Sequence, residues 1–180
     1  VCAHSDELST GQLLGRRIAG VSMVFWRGQD GNVRAFDDAC PHRFAPLSMG
    51  EVIDNKSLRC PYHGISFNQD GQCDGVPGQD HIPETWRLKS YPIIERYGCI
   101  WVWPGDAEKS HDQRSIPDFM AFGEPPYQVS SGCISVDADY RLLMDNLLDP
   151  THAEFIHKTS FGSSDLSAAQ GDGRDVAEPE

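Results

Sequence analysis

Two short segments of the chain each carry a cysteine and a histidine at the spacing of metal ligands. Cys40 is followed two positions later by His42, and Cys60 is followed three positions later by His63, with a proline directly after each cysteine. Together the two segments supply two thiolates and two imidazoles, which is enough to complete the ligand set of a metal centre. The metal that this set suits depends on how the four residues are spaced.

The spacing separates zinc from an iron–sulfur cluster. Zinc sites with two cysteines and two histidines usually pair cysteine with cysteine and histidine with histidine. Here each segment mixes the two types, as Cys-x-His and Cys-x-x-His, with seventeen residues between the segments. A Rieske-type 2Fe-2S cluster needs two cysteines on one iron and two histidines on the other. The pattern therefore predicts a Rieske cluster bound by Cys40, His42, Cys60 and His63, and a zinc-stapled binding module is the alternative.

The other four cysteines stand outside this pattern, and we expect them to be small buried hydrophobic residues. They are Cys2, Cys73, Cys99 and Cys133. Unpaired thiols beside an iron–sulfur cluster suit a reducing compartment, so we expect a cytoplasmic protein.

The composition excludes several kinds of partner. The chain of 180 residues has a net charge of −12, which argues against binding to nucleic acid or to an anionic membrane surface. No apolar run is long enough to predict a transmembrane helix. No Gly-x-Gly-x-x-Gly motif is present, so nicotinamide electrons would have to come through another protein. Because the chain begins with Val1 and ends in an acidic, glycine-containing tail, we expect a fragment of a longer protein.

A second group of candidate ligands follows an amphipathic stretch. Apolar residues at helical spacing predict a helix over residues 140–148, and Pro150 should kink or end it. That distortion can bring His152 and His157 to one metal, with Asp149 beside His152. Two histidines and one carboxylate form the facial triad of non-haem Fe(II) oxygenases. The alternative is that both histidines are ordinary helix residues.

The elements that must position these ligands are mostly strands. Residues 22–36 predict a hairpin with its turn at Asp30-Gly31, and residues 65–67 lead to a second turn at Asp70-Gly71. Residues 91–103 predict another strand pair around a turn at positions 97 and 98. The ligand segments would then lie in loops at the ends of strands.

The pattern changes after this β-rich part. We predict a β-rich domain over residues 1–110, a proline-punctuated linker over residues 111–126, and the start of a catalytic domain over residues 127–180. A further strand is predicted over residues 127–136, ahead of the helix. The fold class is therefore α+β.

Together the motifs resemble those of the oxygenase component, or large subunit, of Rieske non-haem iron oxygenases, the aromatic ring-hydroxylating oxygenases. The resemblance covers nearly all of residues 4–160 and is carried by both cysteine–histidine segments and by the pattern Asn-x2-Asp-x2-His-x4-His that starts at Asn146. Residues 101–106 and 144–149 look most like the O-demethylase branch, such as the vanillate and dicamba demethylase oxygenases.

The resemblance implies a multicomponent monooxygenase. Its oxygenase component would use O2 to hydroxylate and O-demethylate a methoxylated aromatic compound, with a Rieske 2Fe-2S cluster and a mononuclear Fe(II) as cofactors. Electrons would come from NAD(P)H indirectly, through a flavin/iron–sulfur reductase, with or without a ferredoxin. The catalytic domain of the family combines helices with an antiparallel sheet.

The resemblance also implies roles for single residues. Members form homotrimers in which the cluster of one subunit serves the iron of its neighbour, so Asp149 would bridge His152 to the partner subunit's His63. Asn146 would lie near the iron. The family's third iron ligand is an aspartate on a distant C-terminal helix, and no aspartate near the end of this chain matches that context. We therefore expect this fragment to be inactive alone.

Two other functions within reach of the same motifs stay open. One is an aromatic ring-dihydroxylating dioxygenase, which uses the same two metal centres. The other is a Rieske ferredoxin-type electron carrier, which would need only residues up to about 106. The candidate iron ligands beyond that point weigh against the carrier.

Overall fold

A computed structural model of the chain describes residues 1–110, 116–117, 125, 132 and 134–157. The chain divides into two compact units, Val1–Ser131 and Gly132–Glu180.

The predicted domain boundaries stay predictions. The linker predicted over residues 111–126 lies mostly outside the described residues. Of the strand predicted over residues 127–136, only positions 132 and 134–136 are described, and none of these is in a strand.

Three antiparallel sheets make up the described part of the first unit. Their strand orders are β2-β3-β4, β1-β10-β9 and β5-β6-β7-β8. The strands are β1 (Ala3–His4), β2 (Leu13–Ile18), β3 (Val21–Arg27), β4 (Val33–Asp37), β5 (Glu51–Ile53), β6 (Ser57–Arg59), β7 (Ser66–Phe67), β8 (Cys73–Gly75), β9 (Ile93–Arg96) and β10 (Cys99–Val102).

Both predicted hairpins are confirmed. Strands β3 and β4 pair antiparallel on either side of the Asp30-Gly31 turn, and Gly31 has a φ of 79°. Strands β9 and β10 pair around Tyr97 and Gly98, which both have a positive φ. Strands β1, β2, β5, β6 and β8 were not predicted.

Strand β3 divides the interior of the first unit into two cores. Its residues Met23, Val24, Phe25 and Trp26 are all fully buried. Because successive side chains of a strand point to opposite faces, Val24 and Trp26 enter one core while Met23 and Phe25 enter the other. The first core also contains both cysteines of the predicted cluster site, so the site is built on packed hydrophobic residues.

The cysteines outside the predicted cluster site differ in burial. Cys2 and Cys73 are buried, as expected. The expectation was wrong for Cys99, which is only partly buried. Cys99 begins β10 directly after the exposed turn, and its Sγ lies 3.9 Å from His4 Nδ1. Cys133 lies outside the described residues.

The second unit contains the predicted helix and its predicted interruption. Helix α1 (Tyr140–Leu148) begins after Asp139, whose carboxylate accepts a hydrogen bond from the Arg141 N–H at 2.9 Å. A 3-10 helix (Pro150–His152) and then helix α2 (Ala153–Ile156) follow. Pro150 therefore ends α1 as predicted. Within the described residues, no helix has both the length and the apolar character needed to span a bilayer.

Candidate functional site

The two cysteine–histidine segments fold into loops with the same backbone hydrogen bonds. We call residues 40–45 the first ligand loop and residues 60–65 the second ligand loop. In each, the cysteine N–H donates to the carbonyl five residues on, at 2.9 Å in the first loop and 2.8 Å in the second. The N–H four residues on donates back to the cysteine carbonyl, at 2.7 and 3.1 Å. In each loop, the chain reversal is therefore closed by main-chain hydrogen bonds within the loop.

The residue that donates back has a left-handed backbone in both loops. It is Phe44 in the first loop, with a φ of 57°, and Gly64 in the second, with a φ of 73°. Phe44 is 78% exposed, so no packing of its ring explains this conformation. At Gly64, an added Cβ would lie 3.1 Å from Pro77 Cγ.

The neighbouring elements hold the loops in place. The first loop follows β4 and leads into a 3-10 helix (Leu47–Met49). The carboxylate of Asp38, before the loop, accepts hydrogen bonds from the Ser48 N–H at 2.7 Å and the Ser48 hydroxyl at 2.6 Å, after the loop. The second loop joins β6 to β7, whose residues Leu58 and Phe67 are fully buried.

The two thiols of the loops form a buried pair. Cys40 is 1% exposed and Cys60 is 2% exposed. Burial, against the opposing effect of backbone N–H groups and with a contribution from the neighbouring Cys60 thiol, raises the pKa of Cys40 to about 11. A bound metal cation overcomes this penalty, because a coordinating thiol is deprotonated outright. The pair therefore suits a cation-binding role.

The two imidazoles form a second pair. The ring centroids of His42 and His63 lie 4.7 Å apart, with the rings inclined at 59°. His42 is half-buried, and its Nδ1 is buried without a hydrogen-bond partner among the described residues. His63 is exposed, and its ring stacks on that of Tyr62 at 3.9 Å. Buried nitrogens nearly always have a partner, so the His42 Nδ1 fits a metal-facing role.

The donor set fits a two-iron cluster. In the described part of the chain, no three His, Cys, Asp or Glu side chains surround one ion position. The loops instead supply one thiol pair and one imidazole pair, which is the division of ligands that a Rieske cluster requires. The individual ligand assignments stay predictions.

Sequence reasoning missed one residue at this site. The ring of Trp86 lies 5.6 Å from that of His42, centroid to centroid, at an inclination of 30°. Trp86 is far from both loops in sequence and belongs to no motif, so no local pattern indicated it.

The interruption after α1 brings the second pair of histidines together. The rings of His152 and His157 lie 5.6 Å apart at an inclination of 65°. His152 Nδ1 lies 2.7 Å from the Asp149 carbonyl oxygen, to which it can only donate, and this leaves Nε2 as the nitrogen available to a metal. Asn146 Nδ2 lies 3.4 Å from that Nε2. The structure therefore places Asn146 beside the candidate metal-binding atom.

The carboxylate of Asp149 contacts the turn rather than the imidazole. Its Oδ1 accepts hydrogen bonds from the Thr151 N–H at 3.1 Å and the Thr151 hydroxyl at 2.6 Å. These bonds, with a smaller contribution from His152, lower the pKa of Asp149 below its ordinary value. Asp149 thus lies beside His152, as predicted, but touches it through its carbonyl.

Comparison with known families identifies both parts of the chain. The sequence model described as Rieske [2Fe-2S] domain matches residues 1–92. The sequence model described as vanillate O-demethylase oxygenase C-terminal domain matches residues 136–179.

Several known proteins resemble the chain along most of its length. The oxygenase component of dicamba O-demethylase from Stenotrophomonas maltophilia is 43% identical over 161 residues, which is 89% of this chain and 47% of that protein. The vanillate O-demethylase oxygenase subunit of Pseudomonas sp. (strain HR199 / DSM 7063) is 42% identical over 169 residues, 94% of this chain and 47% of that protein. The chain therefore spans about half the length of the curated relatives it matches.

The structural comparison agrees with the sequence comparison. The crystal structure of dicamba monooxygenase bound to dicamba superposes with a TM-score of 0.81 at 42% identity, over 88% of this chain and 47% of that chain. A crystal structure described as dicamba monooxygenase with non-heme iron and dicamba superposes with a TM-score of 0.75 at 42% identity, over 82% of this chain and 45% of that chain. The α+β class predicted from the sequence is confirmed, and these likenesses support both a Rieske cluster and a mononuclear iron as cofactors.

Proposed function

Because the chain belongs to the Rieske [2Fe-2S] domain family, we propose that Cys40 and Cys60 bind one iron of the cluster while His42 and His63 bind the other. The buried thiol pair and the neighbouring imidazole pair support this division. When bound, the cluster accepts and passes on one electron at a time.

A second proposal concerns the mononuclear iron. We propose that His152 and His157 supply two of its ligands, with the third, a carboxylate, coming from elsewhere in the protein. The close approach of the two rings and the bond that commits His152 Nδ1 to a carbonyl support this role. The Nδ2 of Asn146 lies 3.4 Å from His152 Nε2, so Asn146 can contact a ligand bound to the iron beside His152.

The domain division follows from these roles. We propose a cluster-binding domain over residues 1–110, a linker over residues 111–126 and the beginning of the catalytic domain over residues 127–180. The two matching families, over residues 1–92 and 136–179, lie on either side of the proposed linker and support this division.

The whole protein is, in this proposal, the oxygenase component of a Rieske-type multicomponent monooxygenase. The observation that carries it is that one chain combines a thiol pair and an imidazole pair with a further histidine pair at an interrupted helix. An electron carrier needs only the first set. A monooxygenase of this type needs both, because the mononuclear iron offers open positions for O2 and the cluster would supply the electrons one at a time.

We propose a methoxylated aromatic compound as the substrate. The names of the dicamba and vanillate O-demethylase relatives support this class. One atom of O2 would enter a methyl C–H bond to give a hydroxymethyl ether, and the other would leave as water after taking up two electrons and two protons. The ether then loses formaldehyde as its C–O bond breaks, and the aromatic oxygen keeps a proton as a phenol.

The electrons would come from a separate protein. We propose a flavin/iron–sulfur reductase, with or without a ferredoxin, as the donor, and a homotrimer in the cytoplasm as the working form. In the trimer, Asp149 would connect His152 to the partner subunit's His63. The exposed position of His63 and the exposed aromatic rings of Phe44 and Tyr62 support a protein partner at the loops.

The ligand assignment is tested by a pair of cysteine variants. C60S should abolish the visible absorption and acid-labile sulfide of the holoprotein, because one cluster ligand is lost. C73A removes a cysteine that is equally buried but lies outside both ligand loops, and it should keep the cluster. Equal cluster content in the two variants would contradict the assignment.

The reaction is tested by a product screen. The full-length protein, with both metal centres loaded, is supplied with reductase, NAD(P)H and a panel of methoxybenzoates, and formaldehyde and phenol are measured. One formaldehyde per phenol is expected. A cis-dihydrodiol without formaldehyde would show ring dihydroxylation instead, and cluster reduction without consumption of O2 would show an electron carrier.

A further inference from the structure

The two histidines of the ligand loops have very different surroundings. His42 is half-buried, with its Nδ1 fully enclosed, and the ring of Trp86 lies 5.6 Å away, centroid to centroid. His63 is exposed and stacks on Tyr62, which is itself 63% exposed. One imidazole is therefore sheltered by the protein and the other faces outward.

Trp86 is held against His42 by its own backbone. The Trp86 N–H donates to the Pro83 carbonyl at 3.0 Å, and the Trp86 carbonyl accepts from the Cys73 N–H at 2.9 Å. The Trp86 side chain packs on the same core that contains both loop cysteines, and Leu88, two residues on, is a buried member of that core. The backbone that carries the indole is therefore fixed, and the indole itself packs against the core beside His42.

We propose that Trp86 is a positioning residue for the cluster, which fixes the ring of His42 and keeps water from the sheltered side of the iron–sulfur centre. This inference rests on the proposed role of His42 as a ligand. The ring separation and the shallow inclination lie within the range in which aromatic rings attract each other. Trp86 touches the ligand and not the reacting atoms, so its effect on catalysis is indirect.

The Trp86 ring beside His42 should affect the reduction potential of the cluster. Reduction adds one negative charge to a cluster that is neutral when oxidised, counting two ferric ions, two sulfides and two thiolates. Water stabilises the charged form more than an apolar ring does. Opening the space beside His42 should therefore favour the reduced cluster and shift the potential upward.

The test compares W86A, W86L and W86F in the holoprotein with a control, W101A. Trp101 is a half-buried tryptophan on β10, and its indole N–H donates to the Arg96 carbonyl. The sheet of β10 contains none of the strands that flank a ligand loop. The reduction potential is measured by spectroelectrochemical titration, and cluster loss is followed by the fading of visible absorption in air. Circular dichroism monitors folding.

W86A should show the largest upward shift of the potential and the fastest cluster loss, W86L a smaller change, and W86F values near those of the wild type. W101A should leave both quantities unchanged. If W86A retains no cluster, the potentials of W86L and W86F decide: a graded upward shift supports the proposal, and wild-type values in both overturn it. A wild-type potential in W86A, or an equal shift in W101A, overturns it as well. Wild-type holoprotein without acid-labile sulfide would instead refute the proposed cluster ligands.

Discussion

At the scale of the single residue, Asp149 has one observed role and one proposed role. Its Oδ1 accepts both hydrogen bonds from Thr151 and so fixes the turn between α1 and the following 3-10 helix. Among the described residues its Oδ2 has no hydrogen-bond partner, so this oxygen can accept a bond from an imidazole. The sequence indicated the neighbourhood of Asp149 and His152 through their spacing. It could not indicate the Thr151 bonds, because they depend on the backbone that Pro150 imposes.

We predict that D149N separates the two roles. The asparagine oxygen can still accept from Thr151, while the amide nitrogen that replaces Oδ2 can only donate and cannot accept from an imidazole N–H. Both metals should stay bound, and turnover should fall about 10- to 100-fold. The measurements are iron and sulfide content and the rate of cluster oxidation in a single turnover with substrate.

The control for this prediction is T151V, which removes one hydrogen bond to Asp149 and leaves its carboxylate intact. T151V should transfer electrons at nearly the wild-type rate. Loss of the mononuclear iron from D149N, or unchanged cluster oxidation, would show that the carboxylate does not act as an electron bridge.

At the scale of elements, turn chemistry explains which strands could be predicted. The β3–β4 hairpin was predictable because Asp30-Gly31 separates two apolar segments. Strand β2 was not, because its central residues 15–17 are exposed and its sequence shows no alternation. Strands β5 and β6 are three residues each and turn at Asp54 and Asn55, two non-glycine residues with a positive φ. Such short strands are stabilised by the hydrogen bonds between them, which a local sequence pattern does not show.

The two ligand loops allow a matched prediction. G64A should lower the free energy of unfolding by about 1–2 kcal/mol, because alanine is strained at a positive φ and its Cβ would press on Pro77. F44G, at the equivalent position of the first loop, should change it by less than about 1 kcal/mol, since relief of strain offsets the added flexibility of the unfolded chain.

Thermal unfolding of the two holoproteins, followed by circular dichroism and by cluster absorption, measures the difference. An equal loss of stability in both variants would mean that the left-handed conformation is not what constrains these positions.

At the scale of the first unit, Arg27 connects separate parts of the β-rich fold. From the end of β3, its guanidinium donates to the carboxylate of Glu95 on β9 at 2.8 and 2.9 Å. It also donates to the carbonyls of Ser5, Leu8 and Gly31. No local sequence pattern could indicate these contacts, since Glu95 lies 68 positions from Arg27.

We predict that R27M lowers the free energy of unfolding by about 2–3 kcal/mol, because charged hydrogen bonds and several backbone acceptors lose their partner. R59M is the control: the Arg59–Glu51 pair is exposed on both sides, and its loss should cost less than about 1 kcal/mol. Chemical denaturation measures both. Equal effects would show that Arg27 contributes no more than a surface charge.

The Arg27–Glu95 ion pair should make the stability of the fold depend on pH. The hydrogen bond from Arg27 lowers the pKa of Glu95 below its ordinary value of 4.5. The pair therefore stabilises the fold fully above that value and loses its effect as the pH falls through the lowered pKa. The wild type should exceed E95Q in melting temperature at neutral pH, and the gap should close in acid. A gap that is independent of pH would exclude an ionic contribution.

The main-chain bonds that close both ligand loops bear on how the protein acquires its iron. They join residues of the same loop, and Asp38 and Ser48 fasten the ends of the first one. The polypeptide itself thus serves as a template, unlike small zinc domains, which fold only around their ion. We therefore expect the loops to keep their conformation without the cofactor, and chelation should release the cofactor without melting the β-rich scaffold.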